Sequence, residues 1–147
     1  MNSGANIWLI AAGWGSVAAA LLHIACMIGG PAWFRFFGAG EAIARAVERG
    51  RIEPYVITLA IAAVLSGWAA YAFSGAGAIV RLPLLRIGLL AISAVCLLRA
   101  AAVFAPQVWR PEHGEMFRIV SSTVVGFLGL LFLVGTVTAW RALSVRS

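Results

Sequence analysis

Residues 82–106, LPLLRIGLLAISAVCLLRAAAVFAP, decide the fold. Prolines at 83 and 106 bracket an apolar run of the roughly 20 residues that a helix needs to cross a bilayer core. Inside that run stands an arginine, Arg99. A guanidinium at mid-helix costs about 2.5–3.5 kcal/mol on insertion scales, and less near a helix end. Something must offset that cost, so the remaining segments are read for what they bring to Arg99.

The whole chain shares the character of this stretch. Its 147 residues are 63% hydrophobic and 11% charged, with a mean hydropathy of +0.98. Soluble domains run at about 45–50% apolar and about 25% charged, so the composition points to the membrane class. Every basic residue is arginine and every acid is glutamate, for a net charge of +6. That charge suits attraction to anionic lipid headgroups, which makes membrane lipid the expected partner. Nucleic acid is not expected, because the arginines are scattered at helix ends rather than clustered on a soluble surface. Cys26 and Cys96 sit in apolar segments without a CxxC spacing and read as small buried hydrophobes.

Four spans are expected, at 7–29, 54–73, 83–105 and 118–140, in a single membrane domain covering 1–147. The first ends at Gly29-Gly30-Pro31, lacks a positive leader, and reads as a retained helix rather than a signal peptide. Its small residues recur every fourth position, Ala11, Gly15, Ala19 and Ala12, Ser16, Ala20, which allows close helix approach. The connection from Gly30 to Glu53 opens with the aromatic run at Trp33, Phe34, Phe36 and Phe37, suited to headgroup depth. Glu41 to Arg49 then reads as a short interfacial helix, with Glu41 and Arg45 paired at i,i+4 and a stop at Gly50. Glu53 and Pro54 open the second span. The fold class is therefore all-α and integral to the membrane: a four-transmembrane-helix bundle with a short interfacial helix in the first loop.

Alternation of the spans places the end of the first, the start of the second, the end of the third and the start of the fourth on one face. By the 1.5 Å rise per residue, His23 lies about 9 Å in from its helix end, Arg99 about 7.5 Å, and Ser121 and Ser122 about 4.5–6 Å. Glu53 and Arg118 stand at the rim, with Glu41, Glu112, His113 and Glu115 in the loops above. The opposite face carries Arg81, Arg86, Arg141 and Arg146 and no glutamate; Arg81 and Arg86 read as headgroup and topology anchors. The expected ligand site is a polar cup of His23, Arg99, Glu53, Arg118, Ser121, Ser122, Trp33 and Glu41. In it Arg99 holds an anionic group, His23 hydrogen-bonds it, and Trp33 and Phe37 cover it. The competing structural reading lets Arg99 snorkel to phosphates or pair with Glu53. A plain arginine count favours the long loops inside, but all five glutamates share that face, and both termini are taken as cytoplasmic.

No P-loop, dinucleotide fingerprint, HExxH or GxSxG is present. His23, His113, Cys26, Cys96, Met27 and Met116 lack the spacing of a ligand set, so no metal, cofactor or catalytic residue is expected and the chain reads as a non-enzyme. The run HIACMIGGPAWFRFFGAGE at 23–41, with LPLLR at 82–86, resembles a group of small four-helix proteobacterial inner-membrane proteins over nearly the whole chain. That resemblance implies inner-membrane location and fold, and no activity. Separately, the size, the four spans and Glu53-Pro54-Tyr55 opening the second are similar to the MAPEG enzymes, which are trimeric and use glutathione. Arg49 and Arg51 stand where those enzymes have basic residues, while the asparagine of their pattern has no counterpart. This second resemblance implies a thiol cosubstrate at Glu53, Arg99 and Arg118. A third expectation, from the small-residue rows, is a structural or assembly subunit, as a homo-oligomer or with a partner membrane protein.

Overall fold

The structure, a computed structural model, describes residues 5–109 and 113–144. Arg110, Glu112 and Arg146, which the sequence places in loops and at the C-terminal end, lie outside the described residues. The described chain is helical throughout: α1 (Ile7–Gly29), α2 (Pro31–Phe36), α3 (Glu41–Glu48), α4 (Glu53–Gly75), α5 (Leu85–Ala101), α6 (Glu115–Thr138) and α7 (Trp140–Ser144). Two 3-10 turns, Ala102–Phe104 and Pro106–Val108, continue from α5. Four helices are long and apolar enough to cross a membrane: Ile7–Gly29, Glu53–Gly75, Leu85–Phe104 and Glu115–Thr138.

The first span has the expected bounds, and the others shift for local reasons. The second runs on to Gly75, closing where Gly77 turns at φ +78°. The third begins at Leu85 rather than at Pro83, because Leu84 takes a left-handed φ of 51° ahead of it. The fourth starts at Glu115, almost a turn before Arg118, behind an extended Gly114. Glu115 in its first turn complements the positive end of the helix dipole. The stretch expected as an aromatic loop at Pro31 instead forms α2, with Pro31 at the position where its missing N–H costs nothing. The surface helix α3 forms as expected and stops before Gly50, whose φ of +72° suits glycine.

Each long helix packs chiefly on two others, α1 on α4 and α6, and α5 on α6 and α4, which gives a four-cornered up-and-down bundle. Hydrogen bonds fix which ends meet. Asn6 caps α1 by accepting from Leu9 N–H at 3.1 Å and donates to Thr138 Oγ1 at 2.9 Å, joining the start of α1 to the end of α6. Leu9, Leu89, Cys96 and Phe132 are fully buried in the main core. A smaller cluster of Cys26, Phe34 and Val47, with Tyr55 against it, seats α2 and α3 on the other end. Buried Ser16, Thr58, Ser93 and Thr136 all donate to the carbonyl one turn back, at 2.7–2.9 Å. Hydroxyls satisfied inside their own helix suit an apolar surrounding with no water to bond.

The outside of the bundle is as apolar as its inside. Ile57 and Val64 of α4, Val95 and Leu98 of α5, and Val124 and Phe127 of α6 are all exposed. Only 22% to 33% of each apolar span is buried within the bundle, so most of its hydrophobic surface needs cover from outside the chain.

Candidate functional site

Arg99 projects from the last turn of α5 toward the first turns of α6. Its Nη1 donates to Ser122 Oγ and its Nη2 to Ser121 Oγ, each at 3.4 Å, the long end of hydrogen bonding. Trp109 covers the guanidinium, its ring centroid 4.2 Å from Cζ, close enough for a cation–π attraction. The Trp109 indole is itself pinned, donating from Nε1 to Ala102 O at 2.8 Å. Behind it His113 stacks on Phe117 at 5.1 Å, and Trp109 meets both rings edge-on at 6.4 Å. A helix end, a 3-10 turn and an aromatic trio thus hold one half-buried cation between α5 and α6.

Charge balance sets this cation apart. Arg35 reaches Glu41 at 2.8 and 2.9 Å and Glu48 at 2.7 Å, and Arg45 adds a contact to Glu41 at 3.1 Å. Hydrogen bonds from Arg35 and then Arg45 pull the Glu41 carboxyl down to about 2, and the bonds to Glu41 and then Glu48 raise Arg35. Glu53 pairs with Arg51 at 2.8 Å, and Glu115 lies 3.7 Å from Arg118. Every described glutamate is therefore engaged by an arginine other than Arg99. Arg99 has hydroxyls and a ring around it, and no carboxylate among the described residues. Arg118 stands one turn before the two serines on α6, and its Nε is buried without a hydrogen-bond partner among the described residues.

Of the residues expected in the cup, Arg99, Ser121 and Ser122 come together. Arg118 lies on the same turns of α6. His23 instead uses its Nδ1–H on Ala19 O at 2.7 Å, one turn back in α1. Glu53 and Glu41 are in the ion pairs just described. Trp33 packs beside Phe37 at 5.8 Å on α2, and no contact joins either ring to Arg99. The covering aromatic is Trp109. Its signal lay in the sequence, since it follows Arg99 on the same connection, at the depth where an indole is half wet. Among the described residues no three His, Cys, Asp or Glu side chains gather as a metal site. The chemistry this arrangement offers is recognition of an anion by a planar fork of donors, with apolar surface alongside.

Comparison with family models, curated proteins and solved structures finds no match. The site has to be judged on its own geometry.

Proposed function

We propose that this chain is a multi-pass inner-membrane protein, with both termini cytoplasmic, that binds an amphipathic anion of lipid type at the end of the α5–α6 pair. Arg99 holds the anionic group, Ser121 and Ser122 orient the guanidinium, Trp109 shields it, and Arg118 adds charge at the rim. The supporting observation is the state of Arg99. It is half-buried, loosely bonded at 3.4 Å on two sides, and without a carboxylate among the described residues, where every glutamate is taken by another arginine. A cation kept in that state gains from an incoming anion by more than an already paired one does, since charge-assisted bonds are the stronger class.

The test is native mass spectrometry of the full chain extracted from its membranes. The wild type is expected to carry an anionic lipid adduct, and Arg99→Gln to retain roughly tenfold less, as fits loss of a charged hydrogen-bonding partner. Arg99→Lys keeps the charge without the fork and should fall between. Equal adducts on wild type and Arg99→Gln would overturn the reading. So would millimolar glutathione binding in place of lipid, the outcome implied by the MAPEG resemblance.

A further inference from the structure

The opposite end of the bundle holds a second cationic site built from different parts. An open groove of 740 Å³ lies beside the start of α5, lined among others by Arg81, Leu84, Arg86, Ile87, Leu90 and Trp140. Both arginines dock the C-terminal helix: Arg81 donates to Leu143 O, and Arg86 donates to Trp140 O at 3.1 Å and to Ser144 Oγ. The Arg86 guanidinium also lies 4.2 Å over the Trp140 ring.

Among the described residues, these contacts place the two cations without neutralising them. Their partners are carbonyl and hydroxyl dipoles, and a helix C-terminus carries only about half an elementary charge. The glutamates are at positions 41, 48, 53, 112 and 115, none of them in the segments that form this end. Arg86 Nε is buried with no hydrogen-bond partner among the described residues, which leaves that fork unsaturated by them. The start of α5 adds to the same field. Leu84 gives it no side-chain cap, and the positive end of the helix dipole lies there. A helix N-terminus beside two guanidinium groups attracts an anion.

The apolar part of the groove says what kind of anion. Leu84, just ahead of α5, is exposed beside the arginines, and Ile87 and Leu90, three residues apart on α5, continue the exposed apolar surface away from them along the span. Trp140 stands at the rim, where an indole sits at headgroup level. A free inorganic anion would use the charges and leave that stripe bare. We infer that this groove is a binding site for an anionic phospholipid: its phosphate lies between Arg81, Arg86 and the start of α5, and an acyl chain runs along Leu84, Ile87 and Leu90. The site is independent of the one at Arg99.

The test uses the full chain in nanodiscs of phosphatidylcholine doped with phosphatidylglycerol, followed by native mass spectrometry of the lipids that remain bound. The wild type should retain phosphatidylglycerol over phosphatidylcholine. Arg81→Gln, which leaves the Arg86 contacts to α7 in place, should lower that retention roughly fivefold, the worth of one arginine at an anionic headgroup. Arg81→Gln with Arg86→Gln should lower it further, and Arg141→Gln, which removes a charge from the same end outside the groove, should leave it unchanged. If the double variant does not fold, Arg81→Gln decides alone. Equal retention of the two lipids by the wild type overturns the inference, and so does Arg141→Gln matching Arg81→Gln, which would mark general surface charge. Inorganic phosphate displacing all bound lipid would name the free anion as ligand and overturn it as well.

Discussion

Arg99 and Trp109 form a unit in which each fixes the other, and the two contributions separate by substitution. The indole supplies a ring face to the cation and an N–H to Ala102 O. Trp109→Phe keeps a ring without that anchor, whereas Trp109→Ala removes both. At about 1 kcal/mol for a partly desolvated cation–π pair, Trp109→Ala is expected to shift affinity of the Arg99 site for an anionic lipid about fivefold. Trp109→Phe should change it less, as read by lipid titration in detergent; equal effects would assign the role to the hydrogen bond. At the other kind of residue, Glu41, the prediction concerns pH. Its carboxyl sits at about 2 in the folded chain because Arg35 and Arg45 bond the charged form. A depressed folded pKa means the contribution is complete above the ordinary carboxylate range and is lost as pH falls toward 2. The Glu41 side chain is about half exposed, so solvent screens these pairs, the effect on global stability is small and the readout has to be local. The carboxyl carbon resonance of Glu41 should titrate with a midpoint near 2, and Arg35→Gln should move that midpoint up. An unmoved midpoint would mean that the Arg35 pairing does not persist in solution.

At the level of helices, close approach depends on where side chains are missing. On α6, a Cβ built on Gly129 would stand 2.9 Å from Cys96 Cβ and 3.1 Å from Leu97 Cγ, so α5 and α6 touch there with no room for a methyl group. Gly129→Ala is expected to cost about 1–3 kcal/mol by overpacking, seen as a lower melting temperature in detergent. Gly67 in α4 is the opposite case, with nothing within 4 Å of its Cβ position. Gly67→Ala should be neutral or should stabilise by about 0.5–1 kcal/mol through helix propensity. Reversal of that order would mean that the α5–α6 contact is looser than described. The same pair of helices carries the Arg99 cluster, so an overpacked Gly129 should also weaken lipid retention there. The small-residue rows of α1 divide in a comparable way: Ala12, Ser16 and Ala20 are buried, while Ala11 is exposed.

The molecule as a whole has two chemically different ends joined by an apolar middle. Carboxylates crowd one end, where all described glutamates are paired, and the other holds arginines whose partners are carbonyl oxygens, a hydroxyl and an indole ring. Cys26 and Cys96 are buried and unlinked, which leaves introduced cysteines as clean reporters of sidedness. In sealed membrane vesicles, Ala142→Cys should react with an impermeant thiol reagent from one side only and Arg49→Cys only from the other. Labelling of both from one side would break the four-span topology. That topology was legible in the sequence because a bilayer core imposes a length and a hydrophobicity on every crossing segment, and the first span has the bounds expected from Trp8 and Gly29 alone. Parity, too, follows from counting crossings, and it placed Arg99, Ser121 and Ser122 at one end. Depth along a helix says nothing, however, about rotation around it or about which neighbour it faces. His23 and Arg99 share a depth, yet they stand on α1 and α5, diagonal corners of the bundle, and His23 bonds its own backbone. Glutamates within reach of several arginines were apportioned by side-chain geometry, which gave Arg35 to Glu41 and Glu48 and left Arg99 with serines and Trp109. The spans and their order were determined by the sequence through local hydrophobicity. Which cation is left without a carboxylate among the described residues was decided by tertiary packing, because only the arrangement of all four helices and their loops fixes which charges meet.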